Sequence, residues 1–196
     1  MRAAHGIIEG DKGVLSMRLF IGIELTPEMR RALGGVSRAL RERSCGGRFV
    51  PAENLHLTLH FIGESEDLSG AASAMREACR GIRPFTLSLG GYGYFDKTRS
   101  GSRKVSLVTV GGDLDELSVL HETLGAALLD RGFALDRRRY VPHITLGRSV
   151  EHDELVEEEL KAVPVEGSMT VRGITLFESS RINGKLTYSP LHREYF

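Results

Sequence analysis

Residues 54–63 read NLHLTLHFIG, and residues 141–148 read VPHITLGR. Aligning His-Leu-Thr-Leu with His-Ile-Thr-Leu sets the two stretches 87 residues apart. The alternation of polar and apolar residues makes each a β-strand buried on one face. Alternate side chains of a strand share a face. His56 and Thr58 therefore point one way, against Leu55, Leu57, Leu59 and Phe61. His143 and Thr145 share a face against Ile144 and Leu146. Each strand thus offers an imidazole and a hydroxyl roughly 7 Å apart over an aliphatic back.

Working outward, RLFIGIEL at 18–25 is a buried-strand run, and Thr26 with Pro27 opens a helix after it. Met29, Leu33, Val36 and Leu40 follow at helical spacing, and Gly34 and Gly35 weaken that helix by about 1 kcal/mol each relative to Ala. After the first motif come a helix over 66–80, strands at 85–89 and 104–110, and a Gly- and charge-rich loop between those strands. Asp113 and Glu116 have the spacing of a capping box, opening a helix that Gly132 ends. The second motif strand, a helix over 153–162 and strands over 169–178 and 186–195 finish the chain. Residues 1–16 show no period and read as a flexible extension before one domain, 17–196. The offset between motifs is close to half of that domain. The expected fold is therefore α+β and bilobal. Two lobes related by an approximate two-fold axis each hold a mostly antiparallel sheet and helices, with the groove between them as the site.

Composition narrows the functional classes. Lys and Arg number 26 against 26 Asp and Glu, so no basic excess supports tight non-specific duplex binding. No apolar run nears the roughly 20 residues of a membrane span, and no apolar h-region marks a signal peptide. Cys45 and Cys79 form no CxxC pair and read as inert thiols in a reducing, cytoplasmic setting.

Two imidazoles facing one groove suit phosphodiester chemistry. One, neutral, takes a proton from water; the other, protonated, gives one to the leaving alkoxide. Thr58 and Thr145 can donate to non-bridging oxygens as charge develops. No Asp or Glu lies inside either motif, which favours acid–base catalysis without a metal or cofactor. The two-fold relation leaves open which histidine is acid and which is base.

RLFIGIEL, FVPAENLHLTLHFIGE and YVPHITLGR together resemble the two-histidine (2H) phosphoesterases, most closely the RNA 2′,3′-cyclic phosphodiesterases of the 2′-5′ RNA ligase family. The resemblance runs from Met17 to Phe196. It implies metal-independent hydrolysis of an RNA 2′,3′-cyclic phosphate end to a 2′-phosphate. Small cyclic nucleotides and tRNA fragments both remain open as natural substrates. It assigns His56 as proton donor, His143 as proton acceptor, and Thr58 and Thr145 as phosphate binders. Formation of 2′-5′ linkages in the same site, or RNA-end binding without catalysis, are the alternatives. Arg148, His60 and Tyr94 are candidate substrate contacts: Arg148 follows the second motif, His60 shares the His56 face under strict alternation, and Tyr94 adjoins the basic loop. No metal site, membrane contact or second subunit is expected.

Overall fold

The computed structural model describes residues 16–96, 103–136 and 138–196. The extension expected at 1–16 thus falls almost wholly outside the described residues. In chain order the elements are β1 (Met17–Glu24), α1 (Pro27–Ala32), α2 (Gly34–Arg43), β2 (Gly46–Phe49), β3 (His56–Ser65), α3 (Leu68–Ala78), β4 (Phe85–Asp96), β5 (Lys104–Gly112), α4 (Leu114–Leu129), β6 (His143–Glu151), α5 (Glu154–Lys161), β7 (Ser168–Val171), β8 (Gly173–Ile182) and β9 (Lys185–Tyr195).

Local chemistry sets most boundaries. The Thr26 hydroxyl accepts from the Met29 N–H at 3.2 Å and caps α1. The expected single helix breaks at Leu33, where Gly34 and Gly35 follow. Asp113 precedes α4, but its carboxylate does not cap the helix. It accepts instead from the Thr86 N–H at 2.8 Å, tying the start of α4 to β4. The loop expected after residue 89 is strand as far as Asp96.

The described strands form one antiparallel sheet in the order β7-β4-β5-β6-β3-β1-β8-β9, with β2 added beside β6. It consists of two half-sheets. β6-β5-β4-β7 and β3-β1-β8-β9 meet through a single paired position, Leu57 opposite Ile144. Those are the central residues of the two His-x-Thr motifs. The two-fold relation expected from sequence thus passes through the seam.

The 87-residue offset maps β1 onto β5, β3 onto β6, α3 onto α5 and β4 onto β8. Yet β4 pairs with β5, while β8 pairs with β1. Each repeat has handed its last strand to the other half-sheet. The run 169–178, expected to be one strand, is accordingly split. β7 and β8 lie near opposite ends of the sheet with only Arg172 between them. One intervening residue spans at most about 7 Å between flanking Cα atoms, so the sheet must curl to bring those ends together. The Phe196 N–H bonding to the Arg172 carbonyl and the Phe85–Phe196 stack hold that closure.

Leu57 and Ile144 face the helices and belong to the main apolar core, with Ile21, Met75, Leu120 and Leu124. α3 packs on α4, and α2 on α5. Burying such a Leu or Ile contributes about 1.5–3 kcal/mol, so the register at the seam is strongly specified. A one-residue slip would turn both aliphatic sets away from the helices.

Candidate active site

Because Leu57 and Ile144 are antiparallel partners on the core face, their flanking residues share the opposite face. His56, Thr58, His143 and Thr145 therefore converge on one surface, as expected. Gly22 of β1 lies beneath Thr58. A Cβ there would come within 2.7 Å of the Leu57 carbonyl oxygen, so only glycine lets β1 lie this close to the β3 backbone, with His56 Cδ2 in van der Waals range at 3.4 Å.

The two histidines are held alike. His56 Nδ1 lies 2.7 Å from the Asn54 carbonyl, and His143 Nδ1 lies 2.7 Å from the Val141 carbonyl. A carbonyl only accepts, so Nδ1 carries the hydrogen in both rings, and Nε2 is the atom left for chemistry. His56 Nε2 meets the Thr58 hydroxyl at 2.9 Å, which must then donate to it in the neutral state. Burial is the main force lowering the His56 pKa, to about 4, and the nearby Arg148 and His143 add to it against the Asn54 carbonyl. The His143 pKa is also lowered, again chiefly by burial, with Arg148 contributing. Without a bound anion both rings are therefore neutral near pH 7.

Their surroundings differ. His56 sits among aromatic rings: Phe20 at 4.8 Å, Tyr188 edge-on at 5.1 Å and Phe177 at 6.1 Å. Phe95 meets His143 edge-on at 5.0 Å. Phe20, Phe177, Val105 and Leu107 are buried outside the main core and form the groove floor.

Of the three secondary candidates, the structure brings one to the groove. Ile21 pairs with His60 and Gly22 with Thr58, leaving Leu59 as an unpaired extra residue. This bulge shifts the alternation by one. His60 is turned to the helix side, where its Nε2 bonds the His121 carbonyl at 2.9 Å and its ring stacks on His121 at 4.2 Å. It contacts α4, not the groove, and Phe61 takes the forward position, half exposed. The same bulge recurs at Leu146 in β6, between the pairs Leu107–Thr145 and Ser106–Gly147. There it swings Arg148 forward, and strict alternation would have placed that residue behind the sheet. No described carboxylate pairs with Arg148, so its charge acts on the groove. Tyr94 lies on the helix side with Ser106, under the Lys104 ammonium at 4.4 Å. Its neighbour Phe95 is the groove aromatic.

Two supports lay beyond motif reasoning. The Tyr140 hydroxyl donates to the Thr58 carbonyl at 3.2 Å, linking the loop before β6 to β3, and its ring stacks on His121 at 3.9 Å. Tyr188 reaches His56 from β9, distant in sequence. Neither shares a spacing pattern with the motifs. Among the described residues no cluster of three or more His, Cys, Asp or Glu could hold a metal, and no helix is long and apolar enough to cross a membrane.

Two duplicated half-sheets, each supplying an imidazole and a hydroxyl to one groove, define a two-histidine phosphoesterase architecture. The family model of the 2′-5′ RNA ligase superfamily matches residues 28–183. The RNA 2′,3′-cyclic phosphodiesterase of Thermotoga maritima is 33% identical over 155 residues, covering 76% of this chain and 81% of that protein. The Escherichia coli protein of the same name is 33% identical over 181 residues, covering 90% and 94%. The crystal structure of E. coli LigT complexed with 3′-AMP superposes with a TM-score of 0.71 at 29% identity, covering 92% of this chain and 98% of that one. This chain belongs to the 2′-5′ RNA ligase superfamily.

Proposed function

We propose that this protein hydrolyses 2′,3′-cyclic phosphodiester ends of RNA to 2′-phosphomonoesters. The observation that carries the reading is the convergence of two Nδ1-anchored imidazoles on one face, which Arg148 shares. Curated relatives of the same superfamily bear that activity's name over most of their length. In this reading His143 Nε2 takes the proton of the attacking water, and His56 gives one to the departing 3′-oxygen. Thr58, Thr145 and Arg148 hold the non-bridging oxygens as charge develops. Acid and base assignments follow the family resemblance, since the Nδ1 anchors of the two rings are alike.

A short RNA ending in a 2′,3′-cyclic phosphate, incubated with and without EDTA, tests this directly. The expected result is conversion to the 2′-phosphate at equal rates in both samples, because the groove offers imidazoles and hydroxyls without a metal-binding carboxylate set. An activity abolished by EDTA and restored by a divalent ion contradicts the mechanism. No conversion contradicts the function.

The lowered histidine pKa values give a second expectation. A bound phosphodiester is an anion beside both rings, so it favours their cations and offsets Arg148. The rate needs one ring neutral and one charged, and hence follows a bell with pH. The bell for kcat, which reports the complex, should therefore lie at higher pH than the bell for kcat/KM, which reports the free enzyme. Coincident bells, or the reverse displacement, would show that the anion does not sit against these rings.

A further inference from the structure

Four described tyrosines besides Tyr195 are withdrawn from solvent to some degree, and two have hydrogen-bond partners. The Tyr92 hydroxyl meets Ser106 and His152, and Tyr140 donates to the Thr58 carbonyl, while Tyr94 lies under the Lys104 ammonium. The Tyr188 hydroxyl has no partner among the described residues, and it is not among the buried polar atoms left unpaired, so it is open to a ligand or to water. Tyr188 lines a small pocket together with His56 and Phe177, and Arg30, Glu24 and Glu53 line its other side. The Arg148 charge acts on three groups, His56, His143 and the Tyr188 phenol. Arg18 acts on the phenol as well. The Tyr188 and His56 rings meet at right angles with centroids 5.1 Å apart, so the phenol borders the part of the groove that His56 occupies.

We propose that Tyr188 is a substrate-binding residue of this groove: its phenol donates a hydrogen bond to a phosphate oxygen while its ring edge holds the His56 imidazole. The inference rests on the phosphodiesterase reading for its natural substrate, but it concerns an anion site in its own right. Burial raises the phenol's pKa against the two guanidiniums, so it stays protonated, and a donor, at working pH. The half-sheet bearing His56 thus supplies a second phosphate donor beside Thr58, from a strand outside the repeated motifs. It would fix the phosphate against the imidazole that lies deepest.

Tyr188→Phe keeps the ring and removes only the hydroxyl. The expected result is a drop of about 10- to 100-fold in kcat/KM on a 2′,3′-cyclic nucleotide, the range for a hydrogen bond to a charged group. Binding of inorganic phosphate should weaken in the same direction, while the His56 titration followed by NMR stays as in the wild type. Tyr188→Leu also removes the ring, and His56 should then titrate closer to 6.5. Wild-type phosphate affinity and wild-type kcat/KM in Tyr188→Phe overturn the proposal and leave Tyr188 as packing. So does a wild-type protein that binds no phosphate. Tyr188-dependent phosphate binding in a protein that leaves cyclic ends intact would instead retain the anion site and sink the phosphodiesterase reading.

Discussion

Replacing either His56 or His143 by Ala should lower turnover of a 2′,3′-cyclic phosphodiester by about 10²–10⁴-fold, the usual worth of a general acid or base. The protein should remain folded. The burial that specifies each strand belongs to Leu57 and Ile144 on the other face, and the rings of Phe20, Phe177 and Tyr188 remain around the His56 position. Steady-state kinetics beside circular dichroism measure both halves of the expectation. A folded variant with near-native turnover at either position removes the two-histidine mechanism. A substrate whose leaving group departs without protonation then separates the roles. It should rescue His56→Ala and not His143→Ala; the opposite pattern exchanges acid and base and keeps the pair.

Thr58→Val and Thr145→Val should each cost about 10- to 10³-fold, at or below the range for an oxyanion donor. Valine keeps the shape and loses the hydroxyl. Thr58 has a second task at rest, donating to His56 Nε2 at 2.9 Å, and must turn that donor to the phosphate when substrate arrives. Serine at either position should retain most of the activity. A valine variant as active as its serine counterpart would mean that the hydroxyls do not touch the reacting phosphate.

The four motif residues were legible because two independent periodicities agreed. Each strand alternated, and the strands recurred at half the domain length. The positions that failed lie where alternation is locally broken. Nothing in LTLHFIG marks Leu59 as a bulge, so His60 was placed in the groove that Phe61 faces. The same unmarked bulge at Leu146 brings Arg148 forward. Tyr94 and Phe95 are neighbours in one strand, and choosing between them needed the pairing with Ser106 and Val105. The division of 168–182 into strands of opposite half-sheets was hidden for another reason. An alternating run reads the same whichever sheet receives it, and only the closure at Arg172 separates β7 from β8. Tyr188 was silent because its partner His56 is 132 residues away and no motif connects them.

The exchange of β4 and β8 between the half-sheets makes the two repeats interdependent. The strand that flanks β1 comes from the second repeat and the strand that flanks β5 from the first, so neither repeat completes a half-sheet alone. The different neighbours of His56 and His143, an aromatic cage against a single phenylalanine, are what one chain can encode and a symmetric pair cannot.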